Sequence, residues 1–464
     1  MSSSMREELK QDVNLAICGH AWHGKSTLVG KTVAELGLVG RRELKQYEEL
    51  ARRGRDPSLV FALLVFRQKD PSNPADEAAR GITVLPSFVR FDFPTHRVTV
   101  IDTPGQETYT NNRFSGMFSA DCACLVVDVR DGVQAVTEQV IRILKGYEIP
   151  LRGVVITKID RAEYREEPFR DCCDQVRATL ARHGVRDENV VFIPTSAYAP
   201  GRPIFDVGEG ITKVTRMPWY RGPTFHEFMG SLDLRVIRPR EPLRIVIHSA
   251  DIHEQVPGVG TAFTGLVESG VLRRDQVLVF EPLSAEQGER VTAQVRSVEL
   301  TRGHLATPGI PLQEAHPRQL VGVALRQVST RETLREMFRG RGVVAGGAEA
   351  PPVVAREFEA DVTVFDPDVK VAPGRQWTLH AHADKVGVEI LGIAHRAAPV
   401  QSVPPEERRE HRDRLQPDEW VRLRLAAVRP IAIEEADRLP PLSKIVFRQD
   451  TRPIGLGRCV KIVR

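Results

Sequence analysis

Apolar residues recur in short continuous runs through the first half of the chain, at 13–18 (VNLAIC), 97–102 (RVTVID), 122–129 (CACLVVDV), 152–157 (RGVVIT) and 190–194 (VVFIP). Runs of that length without polar alternation predict strands buried on both faces. Helical spacing falls between them. Leu28, Val29, Val33 and Leu36 follow the first run, and 133–147 and 166–183 carry the same period. Strand and helix in alternation predict a mostly parallel sheet with helices on both sides. The interval 41–80 reads as polar and irregular, and so long a connection in a compact domain points to a functional loop.

After about Val236 the period shortens. Alternating β-branched runs at 243–248, 260–267, 276–280, 291–300 and 320–328, punctuated by Gly and Pro, predict a small β-barrel. The stretch 339–352 (RGRGVVAGGAEAPP) reads as a linker or long turn. A second all-β unit follows, with runs at 357–365, 376–382, 387–393, 420–427 and 444–448, interrupted by a charged excursion at 404–417. The expected fold is an α/β domain over 1–237 followed by β-barrel domains over 238–348 and 349–464.

Composition narrows this only slightly. Hydrophobic residues make up 41% and charged residues 27% of 464, ordinary values for a globular chain, and the formal net charge of +4 points to no nucleic-acid partner by itself. No run of 18 apolar residues occurs and the start, MSSSMREELK, lacks the apolar core of a signal peptide, so neither a membrane span nor secretion is expected. Cys18, Cys122, Cys124, Cys172, Cys173 and Cys459 form no C-x-x-C pair and read as buried free thiols in a reducing, cytoplasmic setting.

The chemistry lies in the loops that follow the strands. Residues 19–26 (GHAWHGKS) fit G-x-x-x-x-G-K-[ST] between a strand and a helix, the context in which backbone N–H groups and a helix N-terminus cradle phosphates. Gly19, His20, Ala21, Trp22, His23, Gly24, Lys25, Ser26 and Thr27 are therefore candidate nucleotide contacts. Lys25 is expected to reach the β- and γ-phosphates and Ser26 to ligate Mg²⁺. At 102–106 (DTPGQ), Asp102 can hold Mg²⁺ at a strand end and the Gly105 N–H can sense a γ-phosphate. At 157–160 (TKID), the Asp160 carboxylate can accept from both guanine N1–H and the exocyclic amine. Adenine lacks that donor pair, and discrimination of this kind reaches ~10⁴-fold. Thr157 and Lys158 complete that loop, and Ser196 and Ala197 of 195–197 (TSA) offer N–H groups to guanine O6. Thr83, closing 80–83 (RGIT), can complete the Mg²⁺ shell in the triphosphate state and release it on hydrolysis.

With these motifs assembled, the chain resembles the translational GTPases, elongation factor 1-alpha and elongation factor Tu in particular. GHAWHGKS is similar to their G-H-V-D-x-G-K-[ST], and RGIT and DTPG match their next two motifs. The likeness continues through 216–233 (RMPWYRGPTFHEFMGSLD), 256–272 (VPGVGTAFTGLVESGVL) and the tail RPIAIEE…LPPLSKIVFRQDTRPIGLGRCVKIV, and is poor between Phe338 and Glu419. It implies a P-loop GTPase domain and two β-barrels, GTP/GDP and Mg²⁺ as cofactors, aminoacyl-tRNA and the ribosome as partners, a nucleotide exchange factor, and neither membrane nor DNA.

Three residues depart from that pattern. Trp22 stands where the family has Asp, Gln106 where it has the His that helps position water, and Thr157 where Asn usually opens the guanine motif. With Gln106, Lys25 and Gly105 as the catalytic candidates, attenuated hydrolysis is expected. Two other functions share features with the chain. The GTPase subunit of sulfate adenylyltransferase carries MPWY…GPT and a motif close to 102–112 (DTPGQETYTNN), and a GTP-dependent partner of a release or rescue factor would keep the fold without tRNA. His20 and His23 read as loop structure rather than catalysts. His380, His382 and Asp384 (HAHAD) would share one strand face, read as surface alternation rather than a metal site. Arg422, Arg424 and Arg429 fit either RNA phosphate or a solvated strand face.

Overall fold

The computed structural model describes residues 10–53, 57–66, 77–106, 110–198, 203–232, 242–248, 252–256, 258–301, 309–329, 334–338, 341–365, 369–382, 384–396, 420–449 and 452–464. The excursion 404–417 lies outside them. The chain divides into two compact units, with the break at Val236 and Ile237.

In the first unit the five continuous apolar runs become strands β1 (Gln11–Gly19), β3 (His96–Asp102), β4 (Cys122–Asp128), β5 (Leu151–Thr157) and β6 (Val191–Pro194), joined by an unforeseen strand β2 (Ser87–Asp92), in the order β2-β3-β1-β4-β5-β6. All neighbours are parallel except β2 and β3, which form an antiparallel hairpin. β3 and β4 are buried along their whole length, as strands covered on both faces must be. Helices Lys25–Glu35, Ala135–Gly146 and Glu166–Arg182 match the helical periods to within a residue or two. Since β1 lies between β3 and β4, its carboxyl end is the point where the strand order reverses, the usual crevice for a ligand in such sheets.

The interval 41–80 is more ordered than its composition suggests. Helix Arg41–Arg53, a 3₁₀ turn Pro57–Val60 and short helices Ala62–Val65 and Glu77–Arg80 occupy its described parts. Val60, Phe61, Ala62, Leu63, Leu64, Val65 and Phe66 are all buried in the core of the unit. The apolar run 57–66 was hidden by its polar flanks and by the absence of a single period. Gly30 explains its seating: a Cβ there would strike the Phe61 carbonyl, so only glycine lets this segment lie against helix Lys25–Glu35.

The described residues of the second unit are all-β apart from short helical turns. Its first part contains β7 (Arg244–His248), β8 (Ile252–Val256), β9 (Gly260–Ser269), β10 (Leu272–Arg273), β11 (Val277–Glu281), β12 (Thr292–Leu300), β13 (Ile310–Leu312), β14 (Glu314–Ala315), β15 (Leu320–Arg326) and β16 (Gly342–Gly347). The order β11-β16-β7-β9-β15-β12 returns to β11 through a further pairing, so the sheet closes on itself. The expected linker 339–352 is corrected here: its GVVAGG core is strand β16, pairing with β7 and β11. The remaining strands β17 (Val354–Val364), β18 (Gln376–Ala381), β19 (Asp384–Arg396), β20 (Trp420–Ala432), β21 (Lys444–Gln449) and β22 (Arg452–Ile462) form a closed barrel in the order β17-β20-β19-β18-β21-β22. Between the two β parts, the buried Arg244 donates to Glu434 at 2.6 Å and to the Ala350 and Pro351 carbonyls at 2.8 and 3.1 Å. Val246, Val344, Ala432, Leu439 and Leu442 pack beside it.

The expectation of surface alternation at HAHAD is also corrected. His380, His382 and Asp384 are all buried. His382 turns out of β18 with φ of 53° and its Nε2 meets the Leu442 carbonyl at 3.0 Å, while Asp384 accepts two hydrogen bonds from Arg429. Among the described residues no cluster of His, Cys, Asp or Glu is placed to hold a metal. The three C-terminal arginines are paired: Arg422 with Asp361, Arg424 with Glu357 and Arg429 with Asp384. Among the described residues no helix is long and apolar enough to cross a membrane. All six cysteines are free and buried.

Candidate functional site

The carboxyl ends of β1, β3, β5 and β6 converge on a cavity of about 460 Å³, within the range of small-molecule sites. Its wall brings together Ala21, Trp22, Gly24, Lys25, Ser26 and Thr27 with Thr83, Gly105 and Gln106, and on the far side Thr157, Lys158, Asp160 and Ala197. Gly19, His20, His23, Asp102 and Ser196 do not line the cavity itself.

The phosphate loop is set by its glycines. Gly19 has φ of 144° and a Cβ there would collide with the Val126 carbonyl on β4. Gly24, with φ of 91°, precedes helix Lys25–Glu35 and offers no capping side chain, so the first-turn N–H groups remain for an anion. The buried Lys25 Nζ donates to the His20 carbonyl at 2.8 Å. Burial draws its pKa down to about 8, against the opposing pull of Asp102. A Cβ on Gly105 would lie 2.6 Å from the Ala21 nitrogen, so only glycine lets the DTPGQ loop approach the phosphate loop this closely. Trp22 also has a left-handed φ of 64°, a conformation that costs an L-residue with a large side chain roughly 1–2 kcal/mol.

Ser26, Thr83 and Asp102, widely separated in sequence, meet at one point. Ser26 Oγ donates to Asp102 Oδ2 at 2.6 Å and lies 2.7 Å from Thr83 Oγ1, which donates to the same carboxylate oxygen at 3.3 Å. The other oxygen, Asp102 Oδ1, is buried with no hydrogen-bond partner among the described residues. Burial raises the Asp102 pKa to about 6 despite nearby Lys25. Three hard oxygen donors around an orphaned carboxylate oxygen fit Mg²⁺, which takes few protein oxygens alongside phosphate and water.

At the other end, Asp160 is oriented by a 2.6 Å hydrogen bond from the Ser196 hydroxyl. The Ile159 N–H donates to the Thr195 carbonyl at 3.1 Å, joining the TKID and TSA loops. The Ser196 N–H is already engaged by the Glu209 carbonyl at 3.0 Å, so Ser196 serves through its side chain and Ala197 is the TSA residue on the cavity wall. Lys158 has its ammonium 2.8 Å from Asp128. Burial alone would raise the Asp128 pKa, but the hydrogen bond from Lys158 and the charge of Arg161 hold it below the ordinary value. The Thr157 hydroxyl donates to the His23 carbonyl at 2.6 Å, tying the guanine-motif strand to the phosphate loop. His23 is fully buried and its pKa is lowered to about 4 by burial and Lys25; it is a neutral packing residue.

Sequence reasoning missed three supporting residues. The buried Arg113 donates to the Pro104 and Gln106 carbonyls at 2.9 and 2.7 Å and so holds the DTPGQ loop. The buried Glu77 accepts from the Val84 and Leu85 N–H groups at 2.7 and 2.9 Å, fixing the chain beyond Thr83. Asp128 anchors Lys158. Arg113 and Glu77 lie outside any motif, and Asp128 looked like an ordinary strand end.

This fold and site define a P-loop GTPase. Residues 10–216 match the Elongation factor Tu GTP binding domain family and residues 357–460 the GTP-eEF1A C-terminal domain-like family. Elongation factor 1-alpha of Nanoarchaeum equitans is 30% identical over 448 residues, covering 97% of this chain and 96% of its own. That of Pyrococcus furiosus is 30% identical, covering 98% and 99%. The GTP-bound GTPase-like domain of S. cerevisiae Ski7 shares the fold with a TM-score of 0.74 at 15% identity, over 99% of both chains. Elongation factor SelB of Methanococcus maripaludis shares it with a TM-score of 0.64 at 17% identity, over 98% of this chain and 80% of its own. The chain belongs to the translational GTPase family that includes elongation factor 1-alpha, and it binds guanine nucleotide and hydrolyses GTP.

Proposed function

We propose that this GTPase carries aminoacyl-tRNA to the ribosome in its GTP state and hydrolyses GTP more slowly than its His-bearing relatives. What supports the reading most is that the likeness to elongation factor 1-alpha runs through the β-barrels as well as the nucleotide domain. On this reading the chain comprises the GTPase domain 1–237 and barrels 238–348 and 349–464, and works in the cytoplasm with an exchange factor to renew GTP.

In the site, the backbone of Gly19–Ser26 and the Lys25 ammonium bind the phosphates, and Thr27 continues the helix N-terminus towards them. Ser26, Thr83 and Asp102 would hold Mg²⁺, which supplies positive charge to the β- and γ-phosphate oxygens. Asp160, positioned by Ser196, reads the guanine edge, with Lys158 and Ala197 bounding the base. The Gly105 N–H faces the γ-phosphate. Gln106 lines the cavity where the attacking water must stand, and its backbone is fixed by Arg113. Its amide can orient water but cannot lend the positive charge of a protonated His, and transfer of this kind depends on positioning and charge. The direct test is affinity capture with the protein loaded with a non-hydrolysable GTP analogue or with GDP. Charged tRNA recovered only with the analogue supports the carrier role. A release factor or a sulfate adenylyltransferase subunit recovered instead contradicts it.

A further inference from the structure

Trp22 is the exposed apolar side chain of the phosphate loop, and the nucleotide chemistry gives it no task. It is 55% exposed at the cavity mouth, where the related factors carry Asp. Asp tolerates a left-handed backbone because its short polar chain bonds locally; a tryptophan has no such compensation. The ring nevertheless has a defined neighbourhood. Its outer carbon Cη2 lies 3.3 Å from the point where a Cβ on Gly81 would stand, and the two methyls of Leu59 lie 3.0 and 3.4 Å from that same point. Gly81 has φ of 64°, a left-handed backbone that strains any other residue there.

These three residues join the phosphate loop, the turn Pro57–Val60 and the chain that leads to Thr83. Leu59 sits in the turn Pro57–Val60, rooted in the core by the buried run that follows it. Gly81 lies two residues before Thr83, whose hydroxyl meets Ser26 and Asp102. A displacement of Thr83 that carries Gly81 with it would draw Gly81 away from the Trp22 ring and the Leu59 methyls that flank it.

We propose that Trp22 is a positioning residue, an aromatic latch that clamps the segment ending in Thr83 over the phosphate end of the cavity and slows release of the triphosphate. The inference rests on the guanine-nucleotide site and not on tRNA carriage. GDP, without a γ-phosphate to hold Thr83 in place, gains little from the latch, so the effect discriminates between the two nucleotides.

The test is stopped-flow release of a fluorescent non-hydrolysable GTP analogue and of fluorescent GDP from wild type, Trp22→Asn, Leu59→Ala and the double variant. Asn keeps the left-handed turn without adding charge. Each single variant should release the GTP analogue about tenfold faster, equivalent to roughly 1.4 kcal/mol. For Leu59→Ala, which lies outside the phosphate loop, GDP release should change by no more than about twofold, which also reports that the site is intact. The double variant should be no faster than the singles, since either change opens the same contact. Unchanged release, equal acceleration of both nucleotides, or additive effects in the double variant would each overturn the latch. A failure of tRNA carriage would show in tRNA binding without altering these rates, so the two outcomes are separable.

Discussion

Asp160 and Gln106 divide the questions the site poses: which base is read, and how fast the phosphate leaves. Asp160 is half of a built pair with Ser196. Asp160→Asn should weaken GTP by about 10²–10⁴-fold, because two charge-assisted hydrogen bonds of roughly 1.5–3 kcal/mol each are lost or weakened. The same variant should gain affinity for xanthine nucleotide, whose C2 oxygen accepts from the new amide. Competition titrations with GTP, XTP and ATP measure this, and ATP competing equally against the wild type would refute guanine reading. For Gln106, replacing the missing positive charge is the informative change. Gln106→His should accelerate ribosome-stimulated single-turnover hydrolysis by about 10²–10³, the equivalent of roughly 2.7–4 kcal/mol. A wild type already strongly stimulated, with no gain in the His variant, would mean that the amide alone suffices. Both residues were legible because each stands in a short motif at a strand end. Arg113 and Glu77 were not, since their work is to hold backbone groups that only the fold brings near.

At the scale of elements, the sequence showed best what repeats and worst what is compensated. The buried parallel strands announced themselves as apolar runs. β2 did not, because SFVRFD carries Arg90, fully buried and 3.2 Å from Asp92, in the middle of its run. Strand β16 was disguised by its glycines. The HAHAD strand end was misjudged because alternating polar residues look solvated, whereas the fold buries all three, with His382 against the Leu442 carbonyl and Asp384 against Arg429. That burial has a thermodynamic consequence. Burial, with Arg448 and Lys385 nearby, lowers the His380 pKa to about 3. The native barrel therefore holds His380 neutral while the unfolded chain protonates it below about pH 6.5. Between those values the unfolded state binds the extra proton, so stability is full above pH 6.5 and falls on acidification. At pH 5 the loss from this group is about 2 kcal/mol. Urea unfolding of wild type and His380→Phe at pH 7.5 and 5 should show a smaller acid-induced shift in the variant. Equal shifts would remove His380 from the account.

Across the whole molecule, the order of an α/β half and an all-β half was plain from the change of hydrophobic period near Val236, where the two units divide. The division within the second unit was harder to see, because β16 and the Arg244 clasp on Ala350, Pro351 and Glu434 turn an apparent linker into structure. What the assembled chain carries decides its function. The measurement that tests it most directly is a gel-shift titration with aminoacylated and deacylated tRNA, each with the protein in a non-hydrolysable GTP analogue and in GDP, at several salt concentrations. Tight binding is expected only for aminoacylated tRNA with the GTP analogue. That affinity should fall log-linearly with salt as phosphate contacts displace counterions. Equal binding in all four states, or binding in none, would contradict it.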